Sequence, residues 1–141
     1  MRDVYVVTHP EATHHVEDRV GSWAEGMADA WFRARFLPPP PVGERMDQDE
    51  GLVGAQTKTQ WVRRVYRGMD QIAGDDALQQ VIVTHGGTAT LVIAHWIGMP
   101  IDALQYVSFR VSPGSITHLR QDDYFHNRSV VSLNDTSHLA P

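Results

Sequence analysis

Two short β-branched runs in this chain end alike. Val4-Tyr5-Val6-Val7 leads into Thr8-His9, and Val81-Ile82-Val83 leads into Thr84-His85. Runs of this kind read as buried strands. The first stops at Pro10 and the second opens onto Gly86-Gly87. In an open α/β sheet, ligands bind beyond the carboxyl ends of the strands. If these two strands are neighbours, Thr8-His9 and Thr84-His85 face one crevice. A helix opening at Gly86-Gly87 brings its N-terminal amides to the same place, and such ends attract anions. A single histidine at a strand end reads as a cap. The matched pair with Gly-Gly reads as a shared oxyanion or phosphate pocket.

The rest of the chain supplies the frame. Ser22 and Glu25 fit a capping box, followed by a helix to about Phe36 with Trp23, Met27, Ala30, Trp31 and Ala34 on one face. Four prolines, Pro38 to Pro41, end it in an extended segment. Residues 43–54 are acidic and glycine-bearing and read as a mobile surface loop. Residues 57–73 carry Trp61, Val62, Val65, Tyr66, Met69, Ile72 and Ala73 at three- and four-residue steps, with Arg63, Arg64 and Arg67 mostly on the other side. Residues 88–97 read as a helix buried nearly all round, stopped by Gly98. Residues 107–111 and 116–120 read as a hairpin joined at Ser112-Pro113-Gly114-Ser115, and residues 129–133 as a last strand. This order points to an α/β fold with a mainly parallel core sheet and an antiparallel flank.

Composition narrows the function. The chain has 141 residues, which suits one domain with a real core, and a net charge of −5 with one lysine, Lys58. An acidic balance without a Lys/Arg cluster argues against nucleic-acid binding. The most apolar stretch, residues 91–101, is broken by His95, Gly98 and Pro100, so no membrane span is expected. Met1-Arg2-Asp3 leads into a short run with no cleavage-like region, and there is no cysteine; a cytoplasmic protein is expected. His14 and His15 with His9 and Glu11 have the donor types of a zinc site. Their spacing serves only on a helix, and Pro10 argues against one, so no metal or cofactor is expected.

The residues from Val81 to Gly87 resemble the second histidine motif of the histidine phosphatase superfamily, the phosphoglycerate-mutase-like fold. Val4 to Glu11 resembles its first motif, usually Arg-His-Gly-Glu and here Thr8-His9-Pro10-Glu11. The tail from Phe125-His126-Asn127-Arg128 to Leu139 resembles the end of such domains. The resemblance implies a three-layer α/β/α fold, with His9 as a nucleophile that becomes a phosphohistidine and His85 as a donor to the phosphoryl oxygens. A neutral imidazole is a competent nucleophile at pH 7, and no metal is needed where donors neutralise the phosphoryl group. The substrate implied is a small phosphorylated or anionic molecule.

Three departures accompany the resemblance. Thr8 stands where the family has a phosphate-clamping arginine. Pro10 replaces a glycine and removes an amide donor. An internal block is absent: Gly21-Ser22-Trp23 runs almost directly into Ala24-Glu25-Gly26, which resembles the piece after the family's third strand. The missing block normally supplies a second arginine and the acid, leaving Glu11, Glu25 or a group from a second subunit to protonate the leaving group. His126 and Arg128 are candidates to replace the lost cations, while turn capping by Asn127 is the plainer reading of the same stretch.

The family sheet runs third, second, fourth, first, fifth, sixth. Without the second and third strands, four or five strands remain, and the two His-ended strands stay adjacent. Such a sheet has an uncovered apolar edge, which invites pairing. A homodimer is expected, with residues 57–73 or the Trp31 helix as candidates for a domain swap. Two other readings stay open: a non-catalytic anion-binding regulator, and an enzyme using His9 and His85 as acid and base on a substrate without phosphate.

Overall fold

The computed structural model describes residues 1–9, 19–20, 27–139 and 141. In chain order its elements are β1 (Arg2–Thr8), β2 (Arg19–Val20), β3 (Met27–Ala28), α1 (Asp29–Arg33), α2 (Lys58–Gly74), β4 (Gln79–Thr84), α3 (Gly86–Trp96), a 3-10 turn (Ile101–Gln105), β5 (Ile116–Gln121), β6 (Arg128–Asp135) and a second 3-10 turn (Ser137–Leu139). The chain divides into two compact units, one formed by Met1–Pro10 with Val62–Pro141, the other by Glu11–Trp61.

The first unit is built on a four-stranded sheet in the order β4-β1-β5-β6. β1 pairs in parallel with β4, while β5 runs antiparallel to both β1 and β6. The fold is α/β with the four contiguous strands expected, and the two His-ended strands are neighbours. The parallel part of the sheet is the β1–β4 pair, and the antiparallel flank supplies the other two pairings.

Strand alternation decides what each face carries. Val4 and Val6 of β1 lie in register with Gln80 and Ile82 of β4, and with Leu119 and Thr117 of β5. On this face Val4, Val6, Ile82 and Leu119 pack with Val65, Met69 and Ile72 of α2 and with Ala89, Val92, Ile93 and Trp96 of α3. The opposite face carries Asp3, Tyr5 and Val7 beside Val81, Val83 and His118. Val81 and Val83 are each 66% exposed. Among the described residues both long helices of this unit therefore lie on one face.

The helix ends are locally specified. Arg2 donates to the carbonyls of Ala73 and Asp75, both at 2.6 Å, and so places a cation at the C-terminus of α2. At the end of α3, Gly98 has φ +75°, its N–H donates to the His95 carbonyl at 3.0 Å, and the Met99 N–H donates to the Ala94 carbonyl at 2.9 Å. These two bonds form a Schellman motif, which needs the left-handed conformation that glycine adopts freely.

Residues 107–111, expected as a strand, form none. Both edges of β5 are already taken by β1 and β6. The backbone of Phe109 is instead satisfied by Thr90, whose hydroxyl accepts the Phe109 N–H at 3.0 Å and donates to its carbonyl at 3.2 Å.

In the second unit, the described part of the helix expected over 22–36 is helical over Asp29–Arg33. Met27–Ala28 is extended and pairs antiparallel with Arg19–Val20. The four prolines allow the helix no extension toward the C-terminus. The capping box at Ser22 and Glu25 lies outside the described residues. The loop over 43–54 is tied down rather than free. Leu37 N–H donates to the Glu50 carbonyl at 2.8 Å, and the Glu44 carboxylate accepts from the amides of Met46 and Asp47. A capping box starts α2: Gln60 N–H donates to the Thr57 hydroxyl, and Thr57 N–H donates to the Gln60 side-chain oxygen.

Two predictions follow from the sheet. Ile93 is fully buried in the core, so Ile93→Ala should cost about 2–5 kcal/mol in urea unfolding, whereas Val81→Thr on the exposed face should cost less than about 0.5 kcal/mol. Asp3 accepts from Arg120 Nε and His118 Nε2, each at 2.7 Å. The Arg120 bond first, then the His118 bond, holds its carboxyl below the usual range. A lowered carboxyl pKa contributes stability that is present above the unfolded value near 4 and is lost as pH falls through the folded value. Asp3→Asn should therefore flatten stability against pH below about 4. An unchanged pH slope would contradict this.

Candidate active site

The ladder between β1 and β4 ends with Thr8 opposite Thr84. The next residue on each strand is a histidine, so the register delivers His9 and His85 to one place. His9 N–H donates to the Thr84 carbonyl at 3.1 Å, which extends the pairing by one bond. His85 Nδ1 lies 2.5 Å from His9 Nε2, with ring centroids 4.4 Å apart and planes at 82°. One nitrogen of this contact carries the shared proton and the other accepts it.

His85 is also the N-cap of α3. Its backbone is extended, at φ −88° and ψ 158°, and its carbonyl accepts the Ala89 N–H at 2.8 Å. Its side chain makes no capping bond, which leaves the imidazole for His9. The amides of the first turn, starting at Gly86 and Gly87, have no partner within the helix and carry the positive end of its dipole. Val111 backs Gly86, its Cγ2 lying 3.7 Å from where a Cβ would stand. The site thus combines two imidazoles in contact with a helix start suited to anions.

Thr8 does something else than expected. Alternation turns its side chain to the core face, where it is 5% exposed. Its hydroxyl lies 2.7 Å from the Ser115 hydroxyl and donates to the Ser112 carbonyl at 2.9 Å. The hydroxyl standing in for the family arginine is committed to the Ser112–Ser115 turn, not to the imidazoles. The same turn holds the backbone of the site: Thr8 N–H donates to the Ser115 carbonyl at 3.1 Å, and Gly114 N–H donates to the carbonyls of Thr8 at 2.9 Å and His9 at 3.3 Å. Gly114 has φ +76°. The turn residues read as a hairpin connection from the sequence, and their clamp on His9 had no signal there beyond the Pro-Gly pair.

His126 and Arg128 lie elsewhere. β6 runs antiparallel to β5, so Arg128 sits opposite Gln121, which sits opposite Arg2 at the start of β1. That is the end of the sheet remote from His9, about 20 Å away along a seven-residue strand. Arg128 donates to Gln121 and its guanidinium lies over the Trp96 ring at 5.0 Å. His126, at φ 59°, belongs to a turn organised by Asp122, whose carboxylate accepts the amides of Phe125, Tyr124 and Asn127. Those amides, Phe125 foremost, lower the Asp122 carboxyl pKa. Neither residue replaces a phosphate cation at His9. Glu11, Glu25, His14 and His15 lie outside the described residues.

Among the described residues, no group of three or more His, Asp or Glu side chains is placed to hold a metal. No helix there is long and apolar enough to cross a membrane. Thr8→Val should destabilise the protein by about 1–3 kcal/mol, because it leaves the buried Ser115 hydroxyl without its partner. Thr8→Ser should be close to wild type. Equal stability of Thr8→Val and wild type in urea unfolding would contradict the clamp.

Comparison with known proteins bears on the family and the fold. Residues 13–136 match the family model of the histidine phosphatase superfamily, branch 1, a match that opens beyond His9. No curated protein matches the chain significantly. Among solved structures, the alpha-ribazole phosphatase from Shigella flexneri aligns over 94% of this chain and 96% of its own, with TM-score 0.66 and 14% identity. The open reading frame Rv3214 from Mycobacterium tuberculosis aligns over 97% and 99%, with TM-score 0.66 and 12% identity. A phosphoserine phosphatase from Entamoeba histolytica, solved as a mutant with phosphoserine, aligns over 99% and 100%, with TM-score 0.60 and 12% identity. At such identities the likeness speaks for the fold, while the family match spans most of the chain. The chain belongs to the histidine phosphatase superfamily, branch 1.

Proposed function

We propose that the protein is a phosphohydrolase that acts on a small phosphorylated metabolite through a phosphohistidine on His9. The observation that carries this reading is the 2.5 Å contact between His85 Nδ1 and His9 Nε2 at the start of α3. Substrate phosphate replaces that contact. Its oxygens take the His85 N–H and the first amides of α3, and phosphorus meets the lone pair of His9 Nε2. The P–O bond to the alcohol breaks as the P–N bond forms. A general acid, for which Glu11, Glu25 or a group of a second subunit is the candidate, gives the leaving oxygen its proton, and its conjugate base then takes a proton from the water that hydrolyses the phosphohistidine. Thr8 stands where the family pattern has a phosphate-clamping arginine, so turnover is weak or altered.

A cytoplasmic setting fits the absence of cysteine. A homodimer fits the exposed apolar face and edge of β4, which carry Val81 and Val83, with Leu78 just before them, and no Lys or Pro from Gln79 to Thr84. In light scattering at micromolar concentration the protein should elute as a dimer, and Val83→Lys should shift it to monomer. A wild-type monomer would contradict the dimer.

The function is tested on a panel of phosphomonoesters with wild type and His9→Ala, each with and without chelator. Turnover lost by at least about a thousandfold in His9→Ala and indifferent to chelator is expected. No turnover by the wild type would overturn the reading.

A further inference from the structure

Asn134 carries a second unusual feature of this sheet. It is one of two non-glycine residues with positive φ among the described residues, at φ 58°. The pairing of β5 with β6 slips at this point, where Ile116 faces Asp135 but His118 already faces Ser132. Two β6 residues, Leu133 and Asn134, thus stand against Thr117, which makes a β-bulge. Asn tolerates the left-handed conformation better than other side-chain-bearing residues. The bulge leaves the Asn134 N–H off the ladder, and the buried Thr117 hydroxyl accepts it at 3.2 Å.

The bulge also aims the Asn134 side chain. Its Oδ1 accepts the Ser112 N–H at 2.6 Å. Ser112 is the first residue of the turn whose Gly114 N–H is shared by the Thr8 and His9 carbonyls, and whose Ser112 carbonyl takes the Thr8 hydroxyl. A continuous path of hydrogen bonds therefore runs from Asn134 through one turn to the backbone that bears His9. From the second 3-10 turn, Leu139 packs against Gly114, its Cδ1 being 3.1 Å from where a Cβ would stand.

We propose that Asn134 is a positioning residue: the β6 bulge directs its side-chain oxygen onto the Ser112–Ser115 turn, and that turn fixes His9 Nε2 against His85. The catalytic part of this inference rests on the reading of His9 as nucleophile, but the geometric part does not. Misplacement of a nucleophile by a fraction of an ångström lowers kcat without weakening binding at the helix start.

The test compares Asn134→Ala, Asn134→Gly and Asn134→Asp with wild type, all checked for fold by far-UV circular dichroism. Asn134→Gly keeps the left-handed backbone and removes only the amide, so it serves if Asn134→Ala does not fold. Asn134→Asp keeps an acceptor for Ser112. The tautomers of the His9 and His85 rings are read from imidazole ¹⁵N shifts, which needs no substrate. Wild type and Asn134→Asp should show one fixed tautomer in each ring, and Asn134→Gly a mixture. With an active phosphomonoester, kcat should fall roughly tenfold or more in Asn134→Gly with KM within about threefold. Mixed tautomers in the wild type, or fixed tautomers and unchanged kcat in Asn134→Gly, would overturn the proposal. Loss of tautomer order without any wild-type turnover would support the positioning role while sinking the phosphatase reading.

Discussion

The ladder between β1 and β4 runs from Asp3 opposite Gln79 to Thr8 opposite Thr84 without a slip. A slip of one residue would turn Val4, Val6 and Ile82 away from α2 and α3 and expose the core. The hydrophobic pattern thus locks the register, and the register sets His9 beside His85. Burial on one face of the sheet and the chemistry at its end are one constraint. The sheet keeps this pair although its apolar face is covered on one side only within its unit.

The site depends on the outer strands as well. β5 begins where β1 ends, and the turn before β5 takes both the side chain of Thr8 and the carbonyl of His9. The bulge in β6 reaches back to that turn through Asn134. Backbone groups and small hydroxyls do here what a charged residue cannot, because they hold geometry without adding charge. The start of α3, with the positive end of its dipole, lies beside the contact between the two imidazoles.

The four strands of the main sheet and α3 were legible because β-branched runs and an apolar decamer leave few alternatives, and Gly98 marked a C-terminus that it does form, whereas the short β2–β3 pair was not. The adjacency of His9 and His85 was legible from two like-ended strands. Residues 107–111 misled because their composition suits a strand, while pairing depends on free edges that composition does not reveal. Arg128 misled because its place in the chain, near the last strand, says nothing of the direction in which that strand runs. Thr8 misled because motif alignment compares positions, whereas alternation decides which face a side chain meets. The capping box at Thr57 and Gln60 was written plainly in the sequence as Thr-x-x-Gln and passed unread. Asn134 carried its signal in its residue type alone, since Asn at a strand end is a candidate for positive φ.

The central claim is that His9 Nε2 accepts the phosphoryl group. It is tested most directly by quenching the wild-type protein in alkali during turnover of a phosphomonoester and mapping the label by peptide mass spectrometry. A phosphoryl group on the peptide containing His9, absent without substrate, is the predicted result. Steady turnover with the label on another residue, or with no covalent label at all under conditions that preserve phosphohistidine, would contradict it.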